Sequence, residues 1–452
     1  MPARDDAAPP RPNIVVIFCD DLGYGDLGCY GSTVNRTPHL DGMAQSGMRF
    51  TDFYVGQPVC SPSRAALMTG CYPKRVGLHT GTDICVLRPG DPLGLSPDEV
   101  TVADLLRGQG YATALIGKWH LGDQRPFLPD RHGFDTYFGL PYSNDMGVRE
   151  EYPDFPPLPL MQGTDIVEIE PDQSTLTHRY TERAQQFIRE HREGPFFLYF
   201  AHMYVHTPLF PPEDFLRRAQ NGPYGAEVEC IDWSTGEILK TLRECGLEEN
   251  TLVLFTSDNG STTRKGSSNA PLRGRKGQTW EGGMRMPCIA QWPGRIPRAA
   301  TCTELATTMD LLPTFAGLSG AQVPGDRIID GHDIRPLLWA EPGAATPYEA
   351  FYYYANASLN AVRAGEWKLH VNTGELYNLA EDIGEQNELA ARCPDVVRRL
   401  TDFANAARDD LGDYRAGQEG RNCRPPGRVE NPVQLRATSG PSLDPHTQAE
   451  YD

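Results

Sequence analysis

Cys60-Ser61-Pro62-Ser63-Arg64-Ala65-Ala66-Leu67-Met68-Thr69-Gly70 puts a thiol, two hydroxyls and a guanidinium at the start of an expected helix. Pro62 suits a first helical position, because its ring fixes φ and its missing N–H would find no intrahelical partner there. Ala65, Ala66, Leu67 and Met68 then favour helix. Cys60 therefore falls where unpaired N–H groups and the positive end of the helix dipole point outward, an arrangement that suits an anion. Alone, a cysteine before a helix is more often an inert core thiol. Other segments along the chain set this one apart.

The run at 13–19, NIVVIFC, is short, β-branched and unalternated, as expected of a strand covered on both faces. Similar runs recur at 112–116, 196–200 and 252–256, separated by helical stretches at 99–109 and 177–191. Strands alternating with helices predict an α/β fold on a largely parallel sheet. From about residue 350 the chain turns aromatic and β-branched with short runs between turn signals, which predicts a small antiparallel sheet, and 395–409 can form a helix against it. The expected organisation is an arm at 1–12, an α/β domain at 13–345, a small α+β subdomain at 346–412 and an irregular tail at 413–452.

The chain has 452 residues, 39% hydrophobic, enough for one large core and a smaller satellite. A net charge of −18 argues against nucleic acid as a partner, since phosphate binding needs a basic face. Any anionic substrate must be held by local cations against this field. No apolar run is long enough to span a bilayer. The first residues, MPARDDAAPPRPN, lack the apolar core of a signal peptide, so a cytoplasmic location is expected for the chain as given, with export open to a form from which a leader was removed. Eleven cysteines, odd in number and without C-x-x-C pairs, read as reduced core thiols rather than a disulfide framework or a zinc site.

Asp20 and Asp21 follow the first buried strand, and Asp258 and Asn259 follow the run TLVLFTS in the same way. Ligands of open parallel sheets gather beyond the carboxyl ends of the strands, so these four side chains would converge there. Three carboxylates and an amide oxygen select a hard cation, calcium or magnesium. Taken singly, an Asp-Asp pair after a strand reads equally well as a helix cap or a solvated loop. In YATALIGKWHLG, Lys118 and His120 would project to one side of an extended backbone while Trp119 turns away. A surface lysine beside a core histidine is the plainer reading of that pair. His202 and His206 both follow the run FFLYF, and Lys276 lies among glycines and other basic residues that make it unremarkable by itself.

The run from Cys60 to Gly70 resembles the signature of the type I sulfatases, C-x-P-S-R followed by an apolar turn and T-G. The likeness extends from about residue 13 to about residue 389 through Asp20-Asp21, Lys118, His120, His206, Asp258-Asn259 and the G-x-x-x-E-G-G continuation after Lys276. It implies the alkaline-phosphatase-like fold, a large α/β sheet flanked by helices with a small C-terminal antiparallel sheet plus helix. It also implies that Cys60 is oxidised to formylglycine by a maturation enzyme. Asp20, Asp21, Asp258 and Asn259 become ligands of a divalent metal, usually calcium, with magnesium as the alternative and residue 60 completing the shell. The H-T-P context selects His206 as catalytic and leaves His202 as a satisfied interior residue. Ser143 and Asp145 fall where related sulfatases carry an active-site serine, and Glu281 reads as structural.

The implied reaction is hydrolysis of a sulfate monoester, of a sulfated carbohydrate or an aryl alcohol, in the arylsulfatase and glycosaminoglycan-sulfatase branch. Arg64, Lys118, Lys276 and the metal would neutralise the sulfuryl oxygens. The hydrated aldehyde at residue 60 would attack sulfur, His206 and Lys276 would serve the leaving alcohol, and His120 would help expel sulfate. Two rivals remain at this level: a phosphate or phosphonate ester hydrolase of the same superfamily, and a catalytically silent sugar-binding relative.

Overall fold

The computed structural model describes residues 11–150 and 152–436, so the arm at 1–10 and the tail beyond residue 436 lie outside the described residues. The centre of the large sheet is parallel, with strands in the order Thr251–Ser257, Asn13–Cys19, Phe196–Ala201, Ala112–Gly117 and Thr136–Gly139. Antiparallel strands extend it on both sides: Arg285–Gln291 and then Met48–Tyr54 beyond Thr251–Ser257, and Pro159–Gln162 and Asp165–Ile169 beyond Thr136–Gly139.

The unalternated run at Asn13–Cys19 has a direct cause. Ile14, Val16 and Phe18 enter one apolar core, while Val15, Ile17 and Cys19 enter the other. Each fully buried aliphatic or Phe side chain there contributes about 1.5–3 kcal/mol. Helices Val102–Gly108 and Leu311–Ser319 cover the first face; Pro38–Ser46, Gln173–Glu190 and Gly222–Glu244 cover the second. The helix expected at 99–109 starts at Val102, because the Thr101 hydroxyl accepts the Asp104 N–H at 3.1 Å and the Asp104 carboxylate accepts the Thr101 N–H at 3.0 Å. The helix expected at 177–191 begins earlier, at Gln173, capped by Asp172.

The C-terminal sheet is antiparallel, as expected, with strands Phe351–Ala355, Ser358–Ala364, Trp367–His370 and Leu376–Asn378. Helix Pro394–Leu411 lays Leu400, Ala404, Ala407 and Leu411 against it. A buried charge network joins this sheet to the large one. Glu281, fully buried, accepts from Lys368 Nζ at 2.9 Å and from the Tyr353 hydroxyl at 2.8 Å, and Lys368 also reaches Glu385 at 2.8 Å and the Thr279 carbonyl at 2.8 Å. Glu281 is structural, as its sequence context indicated. Residues 413–436 have little regular structure yet are fixed: Gly427–Arg428 pairs with Leu93–Gly94, and Arg424 bonds Glu99 at 2.6 Å. Gln434 packs against Gly90 and donates to the Asp154 carbonyl at 3.1 Å.

Candidate active site

The parallel pairing of Cys19 with Ser257 sets Asp20 and Asp258 side by side at the carboxyl edge of the sheet. Asp21 leaves the strand in a left-handed conformation, φ +62°, and its N–H reaches Asp258 Oδ1 at 3.2 Å. A positive φ is uncommon outside glycine, though aspartate tolerates it better than most. Helix Cys60–Thr69 starts two residues before the expected position, so Pro62 is its third residue rather than its first. The third N–H of a helix also lacks an intrahelical acceptor, which is why the proline fits there equally well. Every residue of this helix is buried, and Gly70 at φ +67° ends it by returning its N–H to Ala66 O.

Around the Cys60 sulfur each carboxylate faces a cation. Lys118 Nζ bonds Asp20 Oδ2, Lys276 Nζ lies 2.7 Å from Asp21 Oδ1, and Arg64 holds Asp258 Oδ2 through two bonds of 2.8 and 3.2 Å. Cys60 Sγ lies 3.4 Å from Asp20 Oδ1 and 3.5 Å from Lys276 Nζ. The ligand atoms of Asp20, Asp21, Cys60 and His206 lie within 4.8 Å of one another. Asp258 is turned toward Arg64, and Asn259 donates its amide to Asp21 Oδ1 at 2.7 Å. Burial alone would raise the Asp20 carboxyl, but Lys118, His206, Arg64 and Lys276 outweigh it and hold Asp20 well below the usual range. Burial, reinforced by the Asp20 charge, pushes Asp258 up against the pull of Arg64. The same two causes push the Cys60 thiol well up, so an unmodified Cys60 here is neutral.

The donor set fits a hard divalent cation. The three acids and the three cations Arg64, Lys118 and Lys276 cancel, so a divalent ion would leave the site net positive toward an anion. Asn259 Oδ1 is buried with no hydrogen-bond donor among the described residues, an orphaned acceptor beside the carboxylates.

Lys118 and His120 both reach the site, but not through extended backbone. His120 stands at φ +61°, and Trp119 between them enters the core with its indole N–H on the Phe127 carbonyl at 2.8 Å. His120 Nε2 bonds the Leu87 carbonyl at 2.9 Å, so that nitrogen carries the proton, and Nδ1 is buried without a partner among the described residues. Burial and the Lys118 charge hold His120 well below its ordinary value, leaving Nδ1 with a free lone pair. His206 bonds the Asn144 side-chain oxygen through Nδ1 at 3.1 Å, and its Nε2 faces Asp21 at 3.9 Å. Asn144 Nδ2 donates to Gln173 and to the Pro208 carbonyl, which fixes which end of its amide meets His206. His202 is interior, but among the described residues neither ring nitrogen has a hydrogen-bond partner, a correction to the satisfied residue expected; burial drives its pKa down to about 3.

Cys60, His120, Ser143, Asp145, His206 and Lys276 line one cavity of about 190 Å³. Ser143 Oγ lies 3.2 Å from Lys118 Nζ, and Asp145 Oδ1 is buried without a partner among the described residues. The outer wall comes from segments the sequence did not single out, among them Ile84, Val86, Arg88, Tyr152 and Phe155. Asn144 was missed too, although it sits between two residues that were picked out. A larger cleft of about 580 Å³ between helices Pro38–Ser46 and Gly222–Glu244 holds none of the site residues.

The sulfatase family model matches residues 12–321, and the model described as N-sulphoglucosamine sulphohydrolase, C-terminal, matches 275–404. Human arylsulfatase A is 41% identical over 444 residues, covering 86% of each chain. Pig N-acetylgalactosamine-6-sulfatase is 41% identical over 379 residues, covering 80% of this chain and 72% of its own. Among solved structures, Ps i-CgsB in complex with k-i-k-neocarrahexaose superposes with a TM-score of 0.78 at 30% identity, covering 88% of this chain and 92% of that one. A family model spanning more than half of the chain, relatives of this identity and a cation-ringed Cys60 at the carboxyl edge of the sheet agree, and the chain belongs to the sulfatase family of sulfuric ester hydrolases.

Proposed function

We propose that the chain releases sulfate from a small sulfated alcohol at the Cys60 pocket, with Cys60 oxidised to formylglycine and calcium or magnesium held by Asp20, Asp21, Asp258 and Asn259. The observation that carries this reading is the ring of three carboxylate–cation pairs around the Cys60 sulfur. Once hydrated, the aldehyde would supply an oxygen nucleophile that a neutral thiol lacks, and the ion a Lewis acid beside it. Lys118 and Lys276, reaching inward from two different loops, are suited to hold sulfuryl oxygens as charge shifts in the transition state. His206 presents Nε2 toward the pocket with Nδ1–H anchored on Asn144, a position from which its imidazolium form can pass a proton to the departing oxygen. His120, neutral with Nδ1 unshared, is suited to take a proton when sulfate leaves.

The cavity is small beside the ~300–1,000 Å³ of sites for drug-sized ligands, so it suits a single ring with its sulfate. Sulfated sugars are favoured over bulkier esters by the likeness to N-acetylgalactosamine-6-sulfatase and to a structure bound to k-i-k-neocarrahexaose. Two measurements test the reading together. Peptide mass spectrometry of protein made with a maturation enzyme should find the aldehyde at residue 60, and sulfate esters should be hydrolysed with higher kcat/KM than matched phosphate monoesters, phosphodiesters or phosphonates. An unmodified thiol at full activity, or a phosphorus ester preferred over every sulfate ester, overturns it.

A further inference from the structure

Resting on the sulfatase reading of this pocket, we infer that Arg88 forms a subsite for a second anionic group on the alcohol portion of the substrate. The cations beside Cys60 are each matched: Arg64 with Asp258, Lys118 with Asp20 and Lys276 with Asp21. Arg88, on the outer wall of the same cavity, differs. Among the described residues its guanidinium has no carboxylate partner, and its contact is with the Tyr152 ring, 5.8 Å from the centroid. Tyr152 in turn stacks on Phe155 at 4.8 Å with 9° between the planes. A cation–π contact of this kind does not neutralise a guanidinium, and leaves its N–H fork free to bind a carboxylate or sulfate through two parallel bonds.

An unmatched cation in a pocket of a chain with net charge −18 attracts an anion that the overall field repels. Asp145 narrows where that anion sits. Its carboxylate lines the same cavity with Oδ1 buried and unpartnered, so a second negative charge is unfavourable beside it and favourable at Arg88. Asp145 is instead suited to a hydroxyl donor. A ring bearing the scissile sulfate, a free hydroxyl and a second anion meets both demands, which describes an acidic sugar. The shared chemistry is the second negative charge, borne by a uronate carboxylate or by another sulfate group.

The test compares kcat/KM for a monosulfated neutral sugar, the same sugar with a second sulfate, a sulfated uronate and 4-nitrophenyl sulfate, in the matured wild type, Arg88→Met and Arg88→Lys. The wild type should prefer a doubly anionic sugar over its singly charged counterpart. Arg88→Met should cut that preference by about tenfold or more, as expected for a lost charge-assisted bidentate contact, and Arg88→Lys should restore part of it. The uronate and disulfate arms show which anion is preferred. An unchanged preference in Arg88→Met overturns the subsite, as does an equal fall on all four substrates, which would put Arg88 on the scissile sulfate or in the fold. If the wild type hydrolyses no sulfate ester, the sulfatase reading itself fails, an outcome separate from either.

Discussion

The Lys276 ammonium lies 3.5 Å from the Cys60 sulfur and 2.7 Å from Asp21, joining a loop more than 200 residues downstream to the start of the first site helix. Its side chain is 19% exposed, so it is fixed by its partners while still facing the cavity.

Lys276→Ala is expected to lower kcat by about 10²–10⁴-fold, the range for a positioned proton-transfer or charge-stabilising group. The loss should grow as the leaving alcohol becomes more basic. A series of aryl sulfates of rising phenol pKa reads this as a steeper dependence of kcat/KM on leaving group; a uniform loss would show that Lys276 only binds sulfate.

Asp258→Ala removes the carboxylate oxygen to which the fully buried Arg64 donates two bonds, leaving it the Lys118 carbonyl at 3.0 Å and Asp20 at 3.9 Å. Removing one partner of a buried pair costs about 3–5 kcal/mol, so this variant should unfold at markedly lower urea. Asp258→Asn keeps an oxygen for Arg64 and should recover part of that stability while remaining inactive. Equal stability of Asp258→Ala and wild type would contradict the pairing.

Chelation should abolish turnover, with calcium or magnesium restoring it better than zinc, because the donors are oxygens. A bound ion also stabilises the fold, by about 2.7 kcal/mol at a hundred times its Kd, which calorimetry reads as a rise in Tm. Asn259→Ala, removing the orphaned buried oxygen, should diminish that rise.

Acid should weaken the junction between the two sheets. Burial raises Glu281, but Lys368, Arg285 and Arg363 outweigh it and hold its carboxyl well below the usual range. A carboxylate lowered in the folded state contributes stability above its unfolded value of about 4.3, lost as pH falls toward the folded value. Between pH 5 and 2, roughly the window this sets, wild type should lose stability more steeply than Glu281→Gln. Parallel slopes in urea titrations across that range would remove Glu281 from the acid response.

The central strands were legible because burial on both faces forces unbroken apolar runs, and Asn13–Cys19 was read to the residue. The site's acids were legible because they follow those strands directly. Pro62 was ambiguous, since the first and third positions of a helix both tolerate a missing N–H. The turn at His120 was not legible: a left-handed histidine follows from the packing of Trp119 and the Leu140–Pro141 backbone, which no local pattern encodes. The outer wall escaped because neither Arg88 nor the Tyr152–Phe155 turn carries a motif, and the two meet only through tertiary structure.

Gln434 braces two of the loops that build this wall, packing on Gly90 and bonding the Asp154 carbonyl. On the Arg88 subsite proposed above, selectivity for the alcohol would be encoded partly in residues 427–436, which place no side chain in the cavity. A chain cut after residue 426 would keep Cys60, Asp20, Asp21, Asp258, Asn259 and the two site histidines, but the loops carrying Arg88 and Tyr152 would lose their common anchor. Such an enzyme should become a generalist, turning over simple aryl sulfates while no longer ranking one sugar above another. Exchanging this segment between relatives is thus a route to new substrate preference that leaves the catalytic residues untouched.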